Sequence, residues 1–174
     1  MRPVLSAPLS YRPAEDQDAP QLEAIYASTR ADELARTDWT EDQKRAFIHM
    51  QYCAQERHYR QHYPGADFLL LLREQLLIGR LYLHDRGDEV RIMDLALLPA
   101  FRNLKIGTCI LHSLQDEAAT NRKRLSIHVE RFNPARHLYA RLGFTLKHEG
   151  DVYNLLEWTS GTAPISRSLE NEHV

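Results

Sequence analysis

Two stretches of this chain combine residue types and spacings that could do chemistry. The first is Leu97-Leu98-Pro99-Ala100-Phe101-Arg102-Asn103-Leu104-Lys105-Ile106-Gly107-Thr108. An apolar strand runs up to Pro99, and an amphipathic helix follows from about Leu104–Lys105. The first turn of a helix holds N–H groups without intrahelical acceptors and a partial positive charge, so it attracts anions. Arg102, Lys105, Gly107 and Thr108 would suit a pyrophosphate there. They also fit a routine strand-to-helix turn with solvated basic side chains. The second stretch is Asn133-Pro134-Ala135-Arg136-His137-Leu138-Tyr139-Ala140-Arg141-Leu142-Gly143-Phe144. Taken singly, Asn133 reads as an N-cap and Tyr139 as a half-buried aromatic. The order of the two stretches is more specific than either alone. Elsewhere His58 and His62 stand four apart on a helix, the spacing of two metal ligands, but no third ligand is near and a solvated face explains them better. Cys109 reads as a small buried hydrophobe beside Ile110.

The elements that must position these stretches follow from local signals. A short strand at Ser10–Arg12 leads to a helix that Asp16 or Asp18 can cap, with Leu22, Ile25 and Tyr26 on its apolar stripe. Thr40-Glu41-Asp42-Gln43 has the capping-box form, and the helix it starts runs to about His62, before Pro64-Gly65. Asp67–Arg73, Leu76–His84 and Glu89–Leu98 read as an antiparallel meander. In the third, strict alternation puts Val90, Ile92, Asp94 and Ala96 on one face and Arg91, Met93, Leu95 and Leu97 on the other. Ile106, Ile110, Leu114 and Ala118 stripe a helix, and the strand Leu125–Val129 follows. Asn133-Pro134 should start a helix over Ala135–Leu142, ended by Gly143. Phe144–Lys147 and Val152–Trp158 close the sheet. The order β-α-α-β-β-β-α-β-α-β-β contains one helical crossover, hence a parallel pair inside a mixed sheet. The expected class is α/β (α+β): a mostly antiparallel sheet of about seven strands with helices on both faces.

Composition narrows the functions. At 174 residues, with 43% hydrophobic and 26% charged, the chain is one domain with a proper core. We expect it over 10–160, with an N-terminal extension over 1–9 and a polar tail over 161–174. A net charge of −2 gives no footprint for nucleic acid. Two cysteines make neither a disulfide framework nor a metal finger. No signal-peptide core precedes Ser10 and no apolar run approaches a membrane span, so the expected location is cytoplasmic, without membrane contact.

The two stretches resemble the motifs of the GNAT superfamily of acyl-CoA-dependent N-acyltransferases. Its "V-x-P-x-x-R/Q-x-x-G-x-G/A" loop corresponds to Leu97–Thr108, and its "N-x-x-A-x-x-L/F-Y-x-x-x-G-F" segment to Asn133–Phe144. Tyr11-Arg12-Pro13-Ala14 and Ile78-Gly79-Arg80-Leu81 extend the resemblance, which covers about Ser10 to Trp158. It implies acetyl transfer from acetyl-CoA, without a metal, to a small-molecule or peptide amine. Backbone groups of Leu97 and Leu98 would hold the pantetheine arm and the thioester carbonyl. Arg102, Asn103, Leu104, Lys105, Ile106, Gly107 and Thr108 would cradle the pyrophosphate. Asn133 would contact pantetheine with Arg136 nearby, and Tyr139 would be the general acid for the leaving thiolate. Lys105 replaces the first motif Gly; in a helical conformation it is sterically allowed and still offers its N–H.

The resemblance leaves the base open among Asp94, which as a core-facing carboxylate needs a partner, and His128 and Glu130, which share a face of the next strand. Trp39, Tyr52 and Tyr59 either line the acceptor cleft or pack on the sheet. A non-catalytic acyl-CoA-binding scaffold and an enzyme for another acyl-CoA are the alternative readings. Pairing or swapping of the closing strands would give a homodimer.

Overall fold

The computed structural model describes residues 1–161, so all of the expected tail except Gly161 lies outside the described residues. The elements follow the expected order: β1 (Leu9–Pro13), α1 (Ala19–Leu34), α2 (Glu41–His62), β2 (Asp67–Arg73), β3 (Leu76–Asp85), β4 (Glu89–Leu97), α3 (Ile106–Thr120), β5 (Arg124–Glu130), α4 (Arg136–Arg141), β6 (Thr145–His148) and β7 (Tyr153–Trp158). They form one open seven-stranded sheet in the order β1-β2-β3-β4-β5-β7-β6, antiparallel except for β4 against β5. Before β1 the chain is tied down: Arg2 pairs with Asp67 at 2.7 Å, and Ser113 donates to the Val4 carbonyl at 2.9 Å.

Local chemistry accounts for the helix ends. The Thr40 hydroxyl accepts from the Gln43 N–H at 3.3 Å, while the Gln43 side chain accepts from the Thr40 N–H at 2.8 Å. Asp18 precedes α1 but does not cap it. Its carboxylate turns back to Arg12 and the Glu15 N–H, so Pro20 in the first turn carries the start instead. Gly143, at φ +81°, ends α4 in a Schellman arrangement: Phe144 N–H to Tyr139 O at 3.0 Å and Gly143 N–H to Ala140 O at 3.1 Å.

Each face of the sheet carries its own core. Leu69, Leu71, Leu81, Leu83, Val90, Ile92, Leu125 and Ile127 pack under α3 and α4 with Ile110, Leu111, Leu114 and Tyr139. Leu70, Tyr82 and Ala96 pack under α1 and α2 with Leu22, Ile25, Tyr26 and Tyr52.

Strict alternation fails in β4. Tyr82 faces Asp94 but Leu83 faces Ile92, so Met93 is an extra residue, a β-bulge. One inserted residue moves every later side chain to the opposite face. Val90 and Ile92 lie in the α3/α4 core, whereas Met93 and Ala96 lie under α1 and α2 and Leu95 and Leu97 pack on the other side. The expectation that Asp94 shares a face with Ile92 is therefore corrected: it shares one with Ala96, and its carboxylate meets Arg80.

Candidate active site

The bulge also marks where the sheet opens. β4 and β5 pair only from Glu89–Arg124 to Ile92–Ile127. Beyond that point Met93–Leu97 continues along β3, and His128–Glu130 continues along β7, with no ladder between them. A strand edge without a partner presents a row of free N–H and C=O groups. On β4 these groups divide by parity. Leu98 gives its N–H to Ile78 O at 2.8 Å and accepts from the Phe101 N–H at 2.9 Å, so both its backbone groups are engaged inside the fold. By the alternation of an antiparallel ladder, Leu95 and Leu97 direct theirs into the gap. The Leu97 carbonyl accepts from Arg102 Nε at 2.8 Å, which leaves its N–H.

The loop after β4 is a coil of left-handed residues. Asn103 has φ +60° and Lys105 φ +61°, ψ 7°. Lys105 is therefore not helical, as the sequence suggested, but left-handed, the conformation for which the motif Gly is suited. A left-handed residue followed by helical ones turns successive N–H groups into one concavity, a nest for anions. The first intrahelical bond of α3 runs from the Cys109 N–H to Lys105 O at 2.9 Å. The N–H groups of Ile106, Gly107 and Thr108 thus precede the ladder and have no acceptor within the helix. A Cβ on Gly107 would meet only Leu138 Cδ2 at 3.7 Å. Leu104 is exposed at the tip. Arg102 does not point outward. Its guanidinium bridges the Leu97 carbonyl and, at 3.0 and 3.2 Å, the Ser28 carbonyl and hydroxyl of α1, so it braces the loop.

α4 brings Tyr139 beneath the same gap. It is anchored by Gln115, whose side chain donates to the Leu142 carbonyl at 2.6 Å. Tyr139 is 5% exposed and packs edge-on against Phe144 at 5.5 Å. Its hydroxyl takes no hydrogen-bond partner among the described residues, and burial, with a smaller push from the Asp94 charge, raises its pKa well above 10. Asn133 is not the N-cap that the sequence suggested, because α4 starts at Arg136 with Ala135 at its N-cap: the Asn133 Oδ1 accepts from the Ala135 N–H at 2.9 Å and its carbonyl from the Arg136 N–H at 3.1 Å, which leaves the amide NH₂ without a partner among the described residues. The Arg136 guanidinium folds back onto the Arg131 carbonyl.

The three basic candidates separate by partner. Asp94 pairs with Arg80, which also donates to Gln55 at 2.8 Å and has Glu56 at 3.6 Å. Burial works against the Arg80 charge; Asp94, Tyr82 and Glu56 outweigh it and raise its pKa above the ordinary value. The guanidinium also lies 5.0 Å from the Tyr82 ring and 5.9 Å from the Tyr26 ring. Glu130 has Arg30 of α1 at 3.6 Å, so an ion pair spans the mouth of the gap. His128 makes no hydrogen bond among the described residues. Burial first, and the Arg91 charge second, lower its pKa from 6.5, so it is neutral at pH 7. The sequence reading missed Arg80; its signal was an arginine inside the apolar run Leu76–Leu83.

Tyr52 is 6% exposed, and Tyr59 packs edge-on against Tyr82 and donates to the Met93 carbonyl at 3.5 Å, so both pack on the sheet. Trp39 is exposed and meets the Phe47 ring edge-on, with centroids 5.1 Å apart. Cys109 is exposed rather than buried, because it falls one residue off the stripe led by Ile106 and Ile110. Among the described residues no group of three or more His, Cys, Asp or Glu could hold a metal, and no helix is long and apolar enough to cross a membrane.

The acetyltransferase (GNAT) family profile matches residues 25–144. The chain belongs to this family. Its solved neighbours include the PaiA N-acetyltransferase of Thermoplasma acidophilum in complex with coenzyme A, at 18% identity over 87% of this chain and 98% of that one, TM-score 0.65. RimL, a ribosomal L7/L12 alpha-N-protein acetyltransferase in complex with coenzyme A, matches at 18% identity over 91% and 98%, TM-score 0.60. Naa50 of Arabidopsis thaliana, in complex with a bisubstrate analogue, matches at 15% over 88% and 99%, TM-score 0.58. At these identities the likeness is one of fold. No curated protein matched the sequence.

Proposed function

We propose that this protein is an N-acetyltransferase that moves the acetyl group of acetyl-CoA to a primary amine. The observation that carries the reading is the divergence of β4 from β5 directly beside the free amides of Ile106, Gly107 and Thr108. One slot offers both a strand edge for an extended amide-bearing arm and a nest for its pyrophosphate. In this reading Leu95 and Leu97, rather than Leu98, bond the pantetheine amides, and the Asn133 NH₂ adds a donor. A backbone N–H in the gap stabilises the negative charge that develops on the thioester oxygen.

His128 is the base that the geometry favours, because Asp94 and Glu130 are held in ion pairs while the neutral imidazole has a free lone pair. It would take the ammonium proton through water. Tyr139 keeps its proton at neutral pH. A full transfer from a phenol above 10 to a thiol of about 8.5 is uphill by more than about 2 kcal/mol. Tyr139 therefore acts chiefly by hydrogen bonding to the sulfur as charge builds on it. The acceptor side lies over α1, where Arg30 and Glu130 meet, and the neighbours named above include one alpha-N-protein acetyltransferase, which makes a peptide α-amine a reasonable first acceptor to assay.

Calorimetric titration with acetyl-CoA tests the slot, and an amine and peptide panel tests transfer. Micromolar binding, about −8 kcal/mol, is expected. Tyr139→Phe should keep that binding and lose about 10²-fold or more in kcat. His128→Gln should abolish the acid limb of the pH profile. Absence of acetyl-CoA binding would overturn the reading.

A further inference from the structure

Across the α1–α2 interface lies a second constellation of reactive groups, which the transferase reading does not use. Glu23 of α1 and His49 of α2 meet at 3.0 Å through Oε2 and Nδ1. His49 Nε2 lies 3.7 Å from Cys53 Sγ, one helical turn further along α2. The carboxylate accepts the Nδ1 proton, which fixes the tautomer and leaves the Nε2 lone pair facing the thiol. Nucleophile, base and orienting carboxylate are thus connected in series. Cys53 is half-buried and opens onto a cavity of about 260 Å³, lined with it by Tyr52, Glu15, Asp16, Glu56 and Arg60. Three carboxylates stand against one guanidinium there, with Glu23 behind, so the cavity repels anions.

We propose that Cys53, His49 and Glu23 form a modification site at which an activated thiol is alkylated by small uncharged electrophiles. As the sulfur attacks, its proton passes to His49 Nε2, and Glu23 balances the imidazolium. With a haloacetamide, the S–C bond forms, the C–halogen bond breaks, and halide departs with its electron pair. With an enone, the S–C bond forms at the β-carbon, the π electrons move to the enolate, and that carbanion takes the proton back from His49. Coenzyme A thioesters, carrying several negative charges, are excluded by the carboxylates, which keeps this chemistry apart from acyl transfer.

The chain holds its own control, because its other cysteine, Cys109, is the more exposed. The native protein is labelled at pH 7 with limiting iodoacetamide, and the two cysteine peptides are quantified by mass spectrometry. Cys53 should react about 10-fold or more faster than Cys109. His49→Gln should remove that advantage without changing Cys109, and Glu23→Gln should reduce it by about 3-fold. Iodoacetate in place of iodoacetamide should slow Cys53 more than Cys109. In guanidinium-unfolded wild type the two thiols should react alike, a comparison that needs no variant. Faster labelling of Cys109 in the native protein, an unchanged Cys53 rate in His49→Gln, or equal slowing of both thiols by iodoacetate would overturn the proposal.

Discussion

Replacing Lys105 with glycine should make this protein more stable. Lys105 sits at φ +61° immediately before α3, where a side chain crowds its own carbonyl. For an L-residue that conformation costs about 1–2 kcal/mol. The side chain is exposed and makes no hydrogen bond or ion pair among the described residues, so its removal forfeits none of these. Against the relief stands the extra freedom of glycine in the unfolded chain, about 0.4–1 kcal/mol. The balance favours Lys105→Gly by roughly 0.5–1 kcal/mol, a rise in Tm of about 1–4 °C for a chain of this size. Lys105→Ala should be nearly neutral, because alanine inherits the strain. Lys105→Val should lose stability, because a β-branched residue tolerates the left-handed region worst. Urea unfolding of the three variants is the assay. The amides of Ile106–Thr108 are untouched, so acetyl-CoA affinity in Lys105→Gly should stay within about 3-fold, with a shallower salt dependence. If Lys105→Gly is less stable than wild type, residue 105 is not left-handed in the folded protein and the account of the loop fails.

Three further outcomes follow from the same geometry. Arg80→Met should cost about 3–5 kcal/mol in urea unfolding, because it strands Asp94 and Glu56 without their cation; adding Asp94→Asn should recover part of the loss, and strict additivity would refute the network. Gly79→Ala should cost about 1–3 kcal/mol and weaken acetyl-CoA binding, since its Cβ would lie 2.2 Å from the Ala96 carbonyl and push β4 at the gap; an unchanged affinity would detach β3 from the site. Asp18 is held at about 2 by Arg12 first and the Glu15 amide second, below its ordinary 3.8. A lowered folded-state pKa gives stability that is full above about pH 4 and lost towards pH 2. The stability difference between wild type and Asp18→Asn should therefore shrink as pH falls from 5 to 2.5, and a constant difference would refute it.

What was legible in the sequence was local. Thr40 and Gln43 announce α2 because a capping box needs only four residues. Gly143 ends α4 because only its φ is demanded, and the crossover through α3 follows from the length of chain between two apolar runs. What stayed hidden needed partners distant in sequence. Met93 carries no mark of a bulge, since the extra residue is defined against Tyr82 and Leu83 on another strand. That one residue decides whether Asp94 faces Ile110 or Arg80. Lys105 conceals its left-handed backbone because lysine usually has a choice, and here the Arg102 brace to Leu97 and Ser28 has removed it. The exposure of Cys109 turns on a single step around α3.

The parting of β4 and β5 has a consequence for mutational tolerance. In the proposed reading the acyl-donor half of the site is mostly main chain, a strand edge, three amides and a backbone turn, to which Asn133 and Tyr139 add side chains. Substitutions of the other side chains around it should change little, provided the bulge and the left-handed loop survive. In the same reading the amine half is made of side chains, among them Arg30 of α1 and Glu130 at the outer end of β5. A library randomised over Arg30, Glu33 and Glu130, which lie outside both cores, would vary the proposed acceptor side while leaving the donor grip intact, so one scaffold can be given many acceptors at small risk to its fold. Chains sharing only 15–18% of their residues can then keep one architecture.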